Sequence, residues 1–427
     1  MTLPRTGQCR LVYLGLLFYL CGLCATLARA DTTTIKAGDT DIGVEVYPAK
    51  GKLLLIWQPH EVGIQNGDHT IAQQLAGQGI ETWLLDVLEA YFLPNTASNM
   101  DRIPANAMAA VIQAATKTGK HVVIAGSGRG AIPVLRGIRQ WQLSHPDNRR
   151  LLGTILLSPK LFVETPDPGL TGKLMPITYA TNQTIVLLQP DKSPWYWKLE
   201  QTLAGLQQGG SDIYLWPLPG LRDRFYFRPD ASDAEKRAGD HLPARLRTAV
   251  QLLLHNGELI RHGVAQMQPA PAVPETKKDH RLADYHGDPQ PPPLRLATLQ
   301  GKFIDLAELK GQVVLVNFWA TWCPPCVHEM PSMQRLADYF TGKPFTILGV
   351  NMAEDNAIVS AFIQQRVHVT FPIVLDRDGQ ALKAWRVFAF PTSYVLDKHG
   401  RIRYALFGGL DWDTAEVKHK LTQLLAK

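Results

Sequence analysis

Two cysteines separated by two prolines, Cys323-Pro324-Pro325-Cys326, are the side chains best suited to chemistry in this sequence. The spacing lets the second sulfur reach back to the first, so a mixed disulfide formed at Cys323 can be resolved within the chain by Cys326. The pair follows Val313-Val-Leu-Val-Asn-Phe-Trp, an apolar run suited to a buried strand, and precedes helical periodicity. Cys323 therefore falls just before a helix. Unpaired backbone N–H groups and the positive end of the helix dipole favour a thiolate there, which makes Cys323 the attacking sulfur. Pro324 and Pro325 fix the turn and suit a helix start.

The remaining three of the five cysteines, Cys9, Cys21 and Cys24, lie within the first thirty residues. Arg5 and Arg10, the apolar stretch from Leu11 to Leu23 and the small-residue site Ala28-Arg29-Ala30 read as a signal peptide over residues 1–30, cut after Ala30. The alternative is an uncleaved anchor, because residues 11–28 carry no charge. Cleavage leaves one close-spaced pair in a chain sent to an oxidising compartment, which is not a disulfide-stapled scaffold. So short a loop adds little as an inert cross-link, and two thiolates without a second Cys/His pair leave zinc short of ligands. No metal and no cofactor are expected. The formal net charge of +6 over 427 residues falls to +3 when Arg5, Arg10 and Arg29 leave with the leader, and the remaining charges are mixed in sign, so nucleic acid is not an expected partner.

Positioning the pair takes a whole domain, and the chain has material for two. Residues 266–293 contain Pro-Ala-Pro-Ala-Val-Pro and Asp-Pro-Gln-Pro-Pro-Pro, a composition expected to form an extended proline-rich linker. Before it, in residues 31–265, buried-strand runs over 53–57, 81–86, 121–125, 151–157, 184–189 and 213–216 alternate with helical stretches over 70–77, 105–118, 131–141, 199–207 and 234–259. This is the pattern of a doubly wound, largely parallel α/β sheet covered on both faces. After it, in residues 294–427, strands are expected over 313–319, 346–350, 373–375, 393–396 and 402–407, with helices over 325–340, 357–365 and 414–425. Lys398-His399-Gly400 joins the last two strands as a hairpin, which makes this smaller sheet mixed.

From roughly Asp288 to Lys427 the chain resembles the TlpA/ResA-like branch of the thioredoxin superfamily, thiol reductases that include cytochrome c maturation proteins. The residues that carry the resemblance are Val-Asn-Phe-Trp-Ala-Thr-Trp-Cys-Pro-Pro-Cys, then Glu329-Met330-Pro331, then Phe390-Pro391-Thr392 before a strand. The resemblance implies a thioredoxin fold. It implies that Pro391 is a cis-proline whose neighbours Phe390 and Thr392 help receive substrate as an added strand. It also implies that Glu329 is the carboxyl group that exchanges protons with the thiols. Trp322 is expected to shield the sulfurs or to pack beside them. Asn317 departs from the many thioredoxins that place a buried Asp on this strand, and since an amide does not titrate, the proton task falls to Glu329. His328 is expected to face solvent.

In the first block, His121 to Ala125 runs into Gly126-Ser127-Gly128-Arg129-Gly130 and a helix, which resembles the nucleophile elbow of α/β-hydrolases. Aligning the glycines puts Gly128 where the nucleophile belongs. Asp191 could stand for the acid, but Arg222 and Asp223 fall where a histidine is expected, and neither can cycle protons as imidazole does. His241 and His255 are expected at the surface. The expectation is a hydrolase-like domain that binds without cutting, the other possibility being Ser127 as nucleophile in a shifted elbow.

The sequence thus points to a periplasmic thiol-disulfide oxidoreductase that reduces disulfides in exported proteins, re-reduced by a membrane thiol transporter of the DsbD/CcdA kind that the resemblance implies. Two alternatives stay open: an oxidase that donates disulfides, and a redox-regulated adaptor without turnover.

Overall fold

The computed structural model describes residues 30–147, 149–170, 172–256, 260–267 and 281–426, so residues 1–29 of the expected signal peptide and residues 268–280 of the expected linker lie outside the described residues. Eight strands, β1 (Asp31–Ala37), β2 (Thr40–Tyr47), β3 (Leu53–Gln58), β4 (Ile80–Leu84), β5 (His121–Ser127), β6 (Leu151–Leu157), β7 (Thr184–Lys192) and β8 (Asp212–Arg222), form the first sheet. Their order is β1-β2-β4-β3-β5-β6-β7-β8. Neighbours from β4 onward run parallel, whereas β1 and β2 form an antiparallel hairpin against the edge of β4. Periodicity does not reveal β1, because Asp-Thr-Thr-Thr-Ile-Lys has no apolar run and most of the strand is exposed.

The long helices of this domain are α1 (Asn66–Gly77), α2 (Ala105–Lys117), α3 (Ala131–Ser144), α4 (Leu199–Gln208), α5 (Asp233–Asp240) and α6 (Leu242–Asn256). The single helix expected over 234–259 is two, broken at His241, and residues 257–259 lie outside the described ones. Pro243 accounts for the break: it lacks an N–H and is tolerated only in a helix's first turn. Successive side chains of β3 feed opposite cores, Trp57 packing with Leu75 and Leu246, and Ile56 with Val111 and Ile138.

The second sheet has eight strands: β9 (Ala283–Asp284), β10 (Arg295–Thr298), β11 (Phe303–Asp305), β12 (Val313–Trp319), β13 (Phe345–Met352), β14 (Ile373–Asp376), β15 (Thr392–Leu396) and β16 (Ile402–Phe407). They are ordered β11-β10-β14-β13-β12-β15-β16-β9. β12 is central, parallel to β13 and antiparallel to β15, and all seven of its residues are buried. Its helices are α7 (Pro324–Tyr339), α8 (Asn356–Phe362), α9 (Gln380–Ala384) and α10 (Ala415–Ala426). The helix expected over 357–365 is α-helical only in α8 and then widens into a π-turn over Ile363–Val367.

The linker expected over 266–293 is corrected at its C-terminal end, since residues 281–293 belong to the second domain. Leu282 is buried in that domain's core, β9 pairs with β16, and the Pro289 carbonyl accepts from the Ile402 N–H at 2.8 Å. Proline composition read as a spacer, but proline keeps its carbonyl as an acceptor and sits readily on an edge where its missing N–H is not needed.

The two domains touch. Phe388, between α9 and β15, is 4% exposed and lies in an apolar cluster of the first domain with Leu174 and Leu199, its ring centre 5.7 Å from that of Phe162 in an edge-to-face arrangement. The Lys198 amine stands 4.1 Å from the Phe388 ring centre. The Arg386 guanidinium donates to the Gly169 carbonyl at 3.0 Å.

Candidate active site

The cysteine pair sits where the buried strand β12 gives way to α7. Cys323 is the N-cap of α7, with Pro324 opening the helix, and its sulfur accepts the Cys326 N–H at 3.3 Å. That contact holds Sγ of Cys323 against the helix's unpaired donors, where negative charge is favoured. The two sulfurs are bonded to each other, so the structure is the oxidised form. Cys323 is 5% exposed and Cys326 fully buried, whereas Pro324, Pro325 and His328 are exposed.

Glu329, one turn along α7 from Cys326, is 3% exposed. A solvated carboxylate in a helix's first turn would be unremarkable; this one is enclosed and its oxygens are all spoken for. The Asn317 amide donates to Oε1 at 2.7 Å, while the Trp412 indole at 3.0 Å and the Leu410 N–H at 3.2 Å donate to Oε2. Burial raises the carboxyl to about 7, against the pull of the Trp412, Asn317 and Leu410 donors, which favour the charged form. Asn317 also donates to the Ser393 hydroxyl at 2.9 Å. An amide turned over offers its oxygen to a protonated acid, and a hydroxyl can donate as well as accept, so this trio can satisfy Glu329 in either protonation state.

The remaining expected residues converge on the same end of the sheet. The Phe390–Pro391 peptide is cis. The Thr392 hydroxyl donates to the Ala389 carbonyl at 2.7 Å, and Thr392 pairs with Phe318 across β12 and β15. Trp322 packs edge-on to Phe390 at 5.8 Å and against the core that contains both sulfurs. Four further residues escape sequence reasoning because they come from distant chain. Trp412 and Leu410 reach Glu329 from beyond β16. Glu354, which is buried, accepts from the Thr321 N–H at 2.7 Å and from its hydroxyl at 2.5 Å, fixing the turn into Trp322. Arg222, from the first domain, donates to the Trp322 carbonyl at 3.3 Å.

In the first domain β5 ends at Ser127 and turns through Gly128, whose φ is +55°. A Cβ on Gly128 would lie 2.2 Å from the His60 ring, so with His60 in place no side chain fits at that position. His60 is buried, and its Nδ1 lies 2.8 Å from Glu61, which also meets the Lys160 amine at 2.7 Å. Burial pushes the Glu61 carboxyl up, but His60 and Lys160 outweigh it and hold the group below the usual range. Ser127 is buried and accepts from the Tyr226 hydroxyl at 3.3 Å. Asp191 is engaged by the Gly220 N–H at 2.7 Å, and Asp223 accepts from Ser158 and Ser193. His241 and His255 are exposed. The sequence signal for His60 is its place in Pro59-His60-Glu61, directly after the buried strand β3.

Residues 270–421 match the family model described as Redoxin. Thiol-disulfide oxidoreductase ResA of Geobacillus thermodenitrificans is 38% identical over 117 residues, which span 27% of this chain and 67% of that protein. ResA of Geobacillus kaustophilus is 37% identical over 125 residues, spanning 29% of this chain and 71% of that protein. A crystal structure of a putative thiol:disulfide interchange protein DsbE from Chlorobium tepidum matches 32% of this chain and 96% of its own at 26% identity, with a TM-score of 0.31.

Proposed function

Because this chain belongs, through its second domain, to the family of ResA-like thiol-disulfide oxidoreductases and so is a disulfide reductase, we propose that it acts in the periplasm on exported proteins. The observation that carries the reading is the cysteine sulfur seated on the first turn of α7 with a buried carboxyl, raised to about 7, one turn beyond it.

In the reduced protein the Cys323 thiolate attacks one sulfur of a substrate disulfide. The substrate S–S bond breaks, the second substrate sulfur leaves and takes a proton, and a mixed disulfide joins Cys323 to the substrate. Glu329 as carboxylate takes the Cys326 proton, and the resulting thiolate attacks Sγ of Cys323. The substrate leaves with both sulfurs reduced and the protein holds the Cys323–Cys326 bond. Trp322, Phe390, Pro391 and Thr392 form the docking edge for the substrate's backbone. Two electrons and two protons must then return, and a membrane thiol transporter of the DsbD/CcdA kind is the donor we propose. Cytochrome c maturation is a candidate setting.

The first domain is proposed to be hydrolase-like in fold and to bind without cutting. Its strand order and the tight turn at Gly128 support the fold; the missing side chain at Gly128 and the missing histidine after β8 support the lack of hydrolysis.

Replacing Cys326 by Ala in the full chain leaves the mixed disulfide unresolved, so an exported disulfide-containing protein should remain attached to Cys323. Recovering glutathione alone would overturn the protein substrate.

A further inference from the structure

We infer that Arg222 of the first domain is a positioning residue for the redox motif of the second, holding positive charge at the backbone of Trp322 and so favouring the Cys323 thiolate. The inference rests on Cys323 being the attacking sulfur and adds a role for a residue outside the thioredoxin fold.

Arg222 closes β8 and is 8% exposed. All five of its donors are committed. Nε and one terminal nitrogen bind the Glu235 carboxylate at 2.7 and 2.6 Å, and that nitrogen also reaches the Asp230 carbonyl at 2.8 Å. The other terminal nitrogen divides between the Asp230 carboxylate at 3.0 Å and the Trp322 carbonyl at 3.3 Å. Glu235 is fixed in turn by the Ser232 N–H at 2.9 Å and the Arg222 N–H at 3.1 Å. The fork is therefore rigid, and four of its contacts lie inside the first domain while one crosses to the residue before Cys323.

The geometry has two consequences. Together with Glu354 on Thr321, Arg222 on the Trp322 carbonyl braces the turn that carries Cys323, one contact from each domain. It also brings a cation to a carbonyl one residue from a sulfur that must ionise, and a nearby cation lowers a thiol's pKa. The charged groups around that turn are Glu329 and Glu354 from the second domain, and Arg222, Asp230, Glu235 and Arg228 from the first, Arg228 bonding Asp230 at 2.9 Å. Arg222 is the cation among them that touches the motif, and Glu235 is its main counter-charge.

Opposite substitutions give opposite signs. In the full-length protein, Arg222→Gln should raise the Cys323 pKa by about half a unit, read as roughly threefold slower alkylation at pH 6, with the disulfide potential falling by about 14 mV. Glu235→Gln leaves the cation less neutralised and should shift both quantities the other way. A purely structural role moves both variants alike or neither. If Arg222→Gln unfolds the first domain, Glu235→Gln still decides: an unchanged or raised Cys323 pKa overturns the inference. Wild-type protein is the control for the premise. If its Cys323 alkylates at pH 6 no faster than free cysteine, the assignment of the attacking sulfur fails; if it does so and neither variant shifts, Arg222 alone is wrong.

Discussion

Glu329 takes up a proton near neutrality because the same enclosure that brings it three donors strips it of water. The unfolded carboxyl titrates near 4.5 and the folded one near 7, so the folded protein binds that proton more tightly. Its contribution to stability is complete below about pH 4.5 and is lost as pH rises through 7, roughly 3 kcal/mol at 1.36 kcal/mol per unit. Urea denaturation at pH 5.5 and pH 8 should show about 2 kcal/mol of it in the oxidised wild type, because pH 5.5 already lies one unit above the unfolded value, and Glu329→Gln should abolish most of that. The same substitution should slow disulfide reduction at pH 7 on the order of 100-fold and remove the inflection near pH 7 from the rate profile. A profile that keeps the inflection in Glu329→Gln would assign the proton transfer elsewhere. Sequence placed Glu329 beside the pair but could not give its burial, because Asn317 converges on it from β12 and Leu410 and Trp412 from the segment after β16.

At the scale of elements, β12 and α7 were readable: a run of seven buried residues followed by two prolines admits few alternatives to strand, turn and helix. β9 was not. Two residues long and fully exposed, it has no periodicity, and its place on the edge of β16 is fixed by neighbouring contacts. Leu282 carries that anchoring, packed among the core residues of the second domain while its carbonyl accepts from Lys420. Leu282→Ala should therefore destabilise the second domain by about 2–5 kcal/mol, the cost of a cavity in a core and not of a truncated linker. Thermal unfolding followed by near-UV circular dichroism of the tryptophans checks it; a melting curve unmoved by the substitution would return residues 281–293 to the role of spacer.

Across the whole molecule, the domains are joined by packing as well as by chain. Phe388 is buried in the first domain's cluster although it belongs to the loop that leads into Pro391, and Arg222 reaches the other way to Trp322. Unfolding of one domain must then disturb the other. Calorimetry of the wild type should show a single coupled transition, and Phe388→Ala, which removes roughly 3–5 kcal/mol of buried aromatic contact, should split it in two. Two transitions already present in the wild type would show that the interface contributes little. The glycine in the turn after β5 also belongs to this scale: His60, just beyond β3, occupies the space a side chain at Gly128 would need.

By itself the sequence determined the two runs of alternating strands and helices, the close-spaced cysteine pair at a helix start and the carboxyl one turn beyond, because each depends on residues a few positions apart whose pattern is set by helix and strand geometry. Tertiary structure alone decided which donors enclose Glu329, where the linker ends, why Gly128 has no side chain, and that Arg222 meets Trp322. Those contacts join residues far apart in the chain, and burial, which sets their charge states, is a property of the packed whole.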